Sequence, residues 1–325
     1  MVNMVAEEVR DICRDIRALK IQGAREIAKA AVQALGIQAR KSKAKKPSEF
    51  LAELLEAADA LAATRPTEPM LRNSLRNAIR HVLVQLRRNR AMSVGQLKAI
   101  VAREETNYFK NVEAALRNIA EYGAKEIPQG ATVITHCHSS TVMAVLKRAH
   151  ELGKSIDVIA CETRPKYQGH ITARELRDAG VPVTLIVDSA MKSFIRDAHI
   201  ALVGADAISA TGDLYNKIGT SVLALVAHHA GVPFYSAAEL HKFDPLTMWG
   251  TMETIEERAA EEIAGGPEFK GVRVRNPAFD VTPAEHIHAY ITEMGVIPPQ
   301  GLLSFVRHAF PVDNPLASFL EKRKR

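Results

Sequence analysis

Three cysteines, Cys13, Cys137 and Cys161, are the chain's strongest intrinsic nucleophiles, and they are widely spaced. An odd, sparse set with no CxxC pair builds neither a disulfide framework nor a structural zinc site, and it suits a reducing compartment. Cys137 stands apart by its neighbours. It lies between His136 and His138, directly after the apolar run 132–135 and ahead of Ser139, Ser140 and Thr141, which read as the opening of a helix. A thiol near a helix N-terminus and beside two imidazoles is expected to have a lowered pKa and so to work as a base near neutrality. The competing reading is a small buried core residue, the usual fate of an isolated cysteine. Consecutive strand side chains point to opposite faces, so His136, Cys137 and His138 cannot easily share one ion, and no metal is expected.

Asp206 is the second candidate. It ends the segment 200–205, where a carboxyl in a largely apolar cleft would be poised as a general acid; a turn or cap aspartate is the plainer alternative. Just beyond it, Asn216, Lys217 and Gly219 lead into another helix, and Gly212 and Gly219 permit turns that aim N–H groups at an anion, with Lys217 adding charge. Further anion ligands are scattered: Gly23-Ala24-Arg25 between two helices, Arg65 before Pro66, Lys242 after Glu239, and Ser139, Ser140 and Thr141. Cys161 ends a strand without a base partner in sequence reach and reads as structural, and Cys13 reads as packing on a helix face.

These residues need elements to hold them. Up to residue 122 the chain reads as helices: Val5, Val9, Ile12, Ile16 and Leu19 form one stripe, Ser48 caps the run 50–61, Leu71 to Leu86 form a second stripe, and a long segment from Val94 to Tyr122 is closed by Gly123. From about residue 130, short apolar runs alternate with helical ones. Segments 132–135, 157–160, 183–187, 200–203, 234–235 and 289–291 read as strands, and unbroken apolar strands between helices imply a parallel sheet covered on both faces. The expectation is an α/β protein: an all-helical N-terminal domain, residues 1–122, then a Rossmann-like parallel-sheet domain, residues 123–325. Ligands of such sheets bind beyond the carboxyl ends of the strands, where His136 to Ser139, Cys161 to Pro165, Asp188 and Asp206 fall.

The net charge of +6 comes from two runs free of acidic residues, Arg40 to Lys46 and Lys322 to Arg325. Setting these nine aside from 43 leaves 34 basic residues against 37 acidic ones, so the body is slightly acidic. A stripe of Arg72, Arg76 and Arg80 adds a local basic face. Solvated loops and a salt-bridged helix explain this charge without nucleic acid. The N-terminal 20 residues mix charges into their apolar positions and hold no signal-peptide core, and no apolar run spans a bilayer, so an intracellular, cytoplasmic protein is expected.

Taken together, Thr135-His136-Cys137-His138-Ser139, Glu162-Thr163-Arg164-Pro165, Val203-Gly204-Ala205-Asp206 and Asn216-Lys217-Ile218-Gly219-Thr220, in that order, resemble the superfamily of the α, β and δ subunits of eukaryotic initiation factor 2B and its metabolic relatives. Among these the chain most resembles the archaeal ribose 1,5-bisphosphate isomerases. Gly23-Ala24, Thr64-Arg65-Pro66 and Asn276 to Pro283 extend the resemblance over nearly the whole chain. It implies conversion of ribose 1,5-bisphosphate to ribulose 1,5-bisphosphate in a route feeding AMP-derived ribose into carbon metabolism. It also implies no cofactor, AMP as an activator, and a hexamer built as a trimer of dimers. By position it makes Cys137 the base and Asp206 the acid, with Gln22, Gly23, Ala24, Arg25, Arg65, Ser139, Ser140, Thr141, Asn216, Lys217 and Lys242 holding the phosphorylated pentose.

Two positions depart from the family pattern. Gln22 stands where the family usually has Arg, and Ser140 where it often has Lys. Arg25 would share a helical face with Gln22, and so a phosphate, if the helix began by Gln22. The alternatives are another sugar-1-phosphate isomerase such as methylthioribose-1-phosphate isomerase, whose pattern has Asn after the Cys where this chain has His138, or a non-catalytic initiation factor 2B-like translation regulator, which generally lacks the Cys and Asp pair.

Overall fold

The structure, a computed structural model, describes residues 4–251 and 255–309, with side chains as far as Val306; the basic run Lys322 to Arg325 lies outside the described residues. Five helices come first: α1 (Glu7–Arg17), α2 (Ala24–Lys41), α3 (Pro47–Ala62), α4 (Pro69–Arg88) and α5 (Val94–Glu126). Their apolar stripes meet in one core, where Val9, Ile16, Ile27, Leu35, Phe50, Leu54, Leu71, Leu75 and Leu97 are all buried. Cys13 belongs to that core.

Several boundaries differ from expectation for local reasons. Leu19 lies past the end of α1 with a left-handed backbone (φ 58°), so it ends the stripe instead of extending it. Ser48 is inside α3. The helix starts at Pro47, whose missing N–H and fixed φ suit a first turn, and Glu49 Oε2 accepts from the N–H groups of Lys45 and Lys46 at 3.3 Å each. Gly123 does not close α5, which continues to Glu126. A Cβ at Gly123 would stand 2.6 Å from a Val145 methyl, so glycine there serves close packing.

By internal packing the described residues fall into two compact units, one drawn from Met1–Glu113 with the last turn of the final helix, the other Ala114–Val306. The second carries β1 (Thr132–Thr135), α6 (Ser140–Glu151), β2 (Asp157–Cys161), α7 (Gln168–Asp178), β3 (Val183–Ile186), α8 (Met191–Phe194), β4 (Ile200–Val203), β5 (Ala207–Ile208), β6 (Leu214–Lys217), α9 (Thr220–Ala230), β7 (Phe234–Ala237), β8 (Phe279–Thr282), β9 (Ala289–Thr292), β10 (Gly295–Ile297) and the first part of α10 (Leu302–Ala309).

Seven strands form the main sheet in the order β10-β9-β7-β4-β1-β2-β3, parallel throughout except for β10. β4, β7 and β9 are buried at every position, as expected for strands covered on both faces. The chain leaves β1 through α6 to β2 on one side, while β4 lies on β1's other side. This reversal opens a crevice at the carboxyl ends of β1 and β4. Beside it, β5, β6 and β8 make a small antiparallel sheet. Among the described residues no helix is long and apolar enough to cross a membrane.

Candidate active site

Cys137 is the second residue after β1, and its backbone is left-handed (φ 69°). Its peptide is held on both sides. The N–H donates to Thr163 Oγ1 at 2.8 Å, and the carbonyl accepts from Thr172 Oγ1 at 3.0 Å. Helix α6 begins only at Ser140, so the thiol is not in its first turn. Burial, the largest influence, pushes the Cys137 thiol up to about 11; Lys217 pulls the other way, while Asp206 and Asp188 push it higher. The expectation of an acidified thiol is therefore corrected. The flanking imidazoles give no cationic help, because burial lowers the pKa of both His136 and His138.

The two histidines have structural partners instead. His136 Nε2 donates to the Ile218 carbonyl at 2.9 Å, which leaves Nδ1 without a proton in the neutral ring. The Thr172 hydroxyl spends its proton on the Cys137 carbonyl. His138 therefore donates from Nδ1 to Thr172 at 3.0 Å, and its Nε2 lies 3.7 Å from Glu175.

Asp206 is half-buried between β4 and β5, its N–H bonded to the Tyr215 carbonyl at 3.0 Å. Just before it, the Ala205 carbonyl accepts from Lys242 Nζ at 2.7 Å. Lys242 is buried and lies 3.6 Å from Glu239, so its charge braces the strand end that carries Asp206. Ser139 stands at the N-cap of α6, with its hydroxyl 2.7 Å from that of Thr141, which donates to the Ala237 carbonyl at 2.9 Å. Gly204 lets this turn approach β4, since a Cβ there would be 2.5 Å from Ser139 Oγ. Ser140 is exposed.

Asn216 and Lys217 are not in a turn but in β6, paired with Asp280 and Phe279 of β8. Asn216 is buried and donates to Thr220 Oγ1 at 3.1 Å, while Lys217 Nζ lies 5.2 Å from the centre of the Phe279 ring. The turn into α9 does hold an anion, and it is the protein's own. Asp280 Oδ2 accepts from Gly219 N at 2.7 Å, Ser221 N at 3.1 Å and Ser221 Oγ at 2.9 Å. Gly219 is required there. Its φ is 102°, and a Cβ would stand 3.0 Å from the His136 ring.

The first unit holds the remaining expected ligands. Gln22 is exposed and donates to the Leu19 carbonyl at 2.6 Å. Gly23 (φ 81°) occupies the N-cap of α2, and Ala24 is its first residue. Gln22 thus precedes the helix and shares no helical face with Arg25. Arg25 is buried, donating to the Val112 carbonyl at 3.1 Å. Arg65 Nη2 lies 3.4 Å from Glu68.

One group of possible metal ligands occurs among the described residues: His136, Cys161 and Asp188, with their ligand atoms within 4.8 Å of one another. Both Asp188 oxygens already accept main-chain N–H groups, and burial pushes the Cys161 thiol up to about 12. Thr163, Thr172, Asp188 and Asp280, which organise the site, were missed as such by the sequence reading. Thr163 and Asp188 did stand just after strands, but nothing in the sequence showed that they meet.

The arrangement sets a thiol, a carboxyl and an ammonium group around the carboxyl ends of β1 and β4, which suits proton transfer on an anionic substrate. The Initiation factor 2 subunit family matches residues 20–299 of the chain. The chain is similar to ribose 1,5-bisphosphate isomerase of Archaeoglobus fulgidus, 47% identical over 295 residues, 90% of this chain and 91% of the relative. It is also similar to methylthioribose-1-phosphate isomerase of Pelotomaculum thermopropionicum, 39% identical over 307 residues, 90% of this chain and 83% of the relative. Its fold superposes on the crystal structure of the translation initiation factor eIF-2B of Pyrococcus horikoshii with a TM-score of 0.77 at 33% identity, covering 90% of this chain and 98% of that one.

Proposed function

Because the chain belongs to the initiation factor 2 subunit family, we propose that it is an aldose–ketose isomerase converting ribose 1,5-bisphosphate to ribulose 1,5-bisphosphate. The observation that carries the reading is the convergence of Cys137, Asp206 and Lys217 at the β1/β4 crevice, where the charges of both Lys217 and Asp206 act on the thiol. A chain serving only as a regulator has no need of a thiol and a carboxyl in one another's field. Relatives named for this substrate, at up to 47% identity, support the sugar.

The chemistry balances without a cofactor. Asp206 gives its proton to the ring oxygen as the C1–O4 bond breaks. Cys137, as thiolate, removes the C2 hydrogen, and a C1=C2 double bond forms between them. The enol then becomes a ketone at C2, its hydroxyl proton returning to Asp206 while the Cys137 thiol protonates C1. Lys217 offsets negative charge on the substrate and on sulfur, and the start of α6 offers the exposed Ser140 hydroxyl and main-chain N–H groups as donors for a phosphate. The productive form pairs the Cys137 thiolate with a protonated Asp206, so one proton is shared across the pair.

The test is an assay of purified protein on ribose 1,5-bisphosphate, methylthioribose 1-phosphate and ribose 5-phosphate side by side, with and without AMP. Turnover of the bisphosphate, raised by AMP, is the expected result. Preference for methylthioribose 1-phosphate would reassign the substrate, and turnover of none would make the chain a regulator. Its cytoplasmic residence and hexameric assembly belong to the same proposal.

A further inference from the structure

Two non-glycine residues at the site share an unusual backbone. Cys137 has φ 69° and Thr163 has φ 65°. For a β-branched residue such as threonine this conformation is an outlier, held only where the surroundings enforce it. Here the enforcing group is visible. Asp188, just past β3, accepts from Thr163 N with Oδ1 at 2.8 Å and from Arg164 N with Oδ2 at 2.7 Å. So gripped, Thr163 turns its hydroxyl towards β1. The hydroxyl donates to the Cys161 carbonyl at 3.1 Å and accepts the Cys137 N–H at 2.8 Å. The side chain of Thr163 is fully buried.

We infer that Asp188 and Thr163 are positioning residues: Asp188 locks Thr163, and Thr163 holds the Cys137 main chain in the left-handed conformation that aims its thiol into the crevice. The connection runs across three neighbouring strands, from the end of β3 through the end of β2 to the end of β1. Neither residue lies in a strand or in the apolar core of the sheet. Asp188 uses both oxygens on backbone N–H groups of one loop, which is what a rigid strap requires. Thr172 completes the grip from α7 by donating to the Cys137 carbonyl. With N–H and carbonyl both bonded, the peptide at Cys137 cannot rotate without breaking a hydrogen bond. A base must meet the proton it abstracts within hydrogen-bond reach, so a thiol on a loose loop would lose rate while substrate binding persisted.

The inference rests on the isomerase reading for its kinetic arm only. Thr163→Val keeps the branched shape but removes the hydroxyl, and Thr163→Ser keeps the hydroxyl. Two quantities are measured on the intact protein: kcat and KM on ribose 1,5-bisphosphate, and the rate at which iodoacetamide alkylates Cys137, followed by mass spectrometry of its peptide. Thr163→Val is expected to lower kcat by about 10- to 100-fold with KM within about three-fold, as misplacement near the reacting atoms does. It should also speed Cys137 alkylation several-fold by freeing the loop. Thr163→Ser should recover most of both. Asp188→Asn should follow Thr163→Val, and it decides the matter if the valine variant does not fold. A Thr163→Val protein with wild-type kcat, or with wild-type alkylation of Cys137, would overturn the inference. If the wild-type protein turns over no ribose 1,5-bisphosphate, the functional reading fails, and the alkylation arm still decides whether the strap holds the thiol.

Discussion

A thiol pushed up to about 11 is a strong base but a rare one at neutral pH, and that tension governs the chemistry of Cys137. Replacing it with serine leaves a group far less acidic still, so Cys137→Ser should abolish detectable turnover while the fold, followed by circular dichroism, persists. Asp206→Asn keeps the shape but has no proton to transfer, and kcat should fall by about two to four powers of ten with substrate binding retained. A pH series separates resting from productive forms. Alkylation of Cys137 needs only thiolate, so its rate should climb about ten-fold per pH unit up to about 11. By the proposed mechanism, isomerisation needs thiolate together with a protonated partner, so the productive pair carries one proton. Its kcat/KM should therefore fall as the solution approaches pH 11 and the last proton of the pair is lost. A kcat/KM that climbs in parallel with alkylation would show that Asp206 is not the second member. The position of Cys137 after a strand was legible in the sequence. Its ionisation was not, because that depends on burial and on where α6 starts, three residues further on.

At the scale of elements, the parallel strands were readable because each carries a short, mostly apolar run between helical segments. The small antiparallel sheet was not, since β6 is four residues long and ends in Asn216 and Lys217, which look like a turn. That misreading concealed Asp280, the anion at the head of α9. Its oxygen Oδ2 takes three donors, whereas buried Oδ1 has no hydrogen-bond partner. Burial, the largest influence, raises this carboxyl above its ordinary pKa despite those bonds. A raised carboxyl pKa means that the folded protein holds the proton more tightly, so stability declines as pH rises through that pKa. Asp280→Ala strips the helix head of its acceptor and should cost about 1–2 kcal/mol in urea denaturation at neutral pH. Asp280→Asn keeps one oxygen for the three donors and avoids burying a charge, so it should cost well under half as much and should remove this pH-dependent decline. Equal losses in the two variants would show that the charge itself, rather than an acceptor, holds α9. Gly169, near the start of α7, makes a sharper case of contact between elements: a Cβ would lie 1.8 Å from the Cys161 carbonyl oxygen. Since the obstacle is backbone, Gly169→Ala should destabilise the protein by about 3 kcal/mol and slow the isomerase, because α7 also delivers Thr172 to Cys137.

Over the whole molecule, charge is the property most easily misread. A net charge of +6 invites a nucleic-acid partner, yet three of the five basic residues in the run at 40–46 face a carboxylate. Arg40 Nη1 lies 2.7 Å from Glu105, Lys41 Nζ 2.5 Å from Glu8, and Lys46 Nζ 3.9 Å from Glu49. Arg72, Arg76 and Arg80 are partly buried along α4 and do not form an open basic face. Exposed pairs of this kind contribute little to stability, but they do weaken the field that a polyanion would feel. A small bisphosphate held as proposed is a different matter, since Lys217 would then act on it directly. Ribose 1,5-bisphosphate carries about twice the charge of methylthioribose 1-phosphate near pH 8. Its kcat/KM should therefore fall the more steeply with added salt, by about three-fold or more between 50 and 300 mM, as expected for steering that is screened over a Debye length. Changing Lys43, Lys45 and Lys46 together to Gln should leave that slope and the absolute kcat/KM unaltered within about two-fold, because exposed, solvated charges are largely screened at these salt concentrations. The same triple variant and the wild type should bind duplex DNA equally poorly at 150 mM salt, weaker than about 10⁻⁴ M. Micromolar DNA binding by the wild type, lost in the variant, would show instead that the loop is an interaction surface and that its ion pairs do not neutralise it.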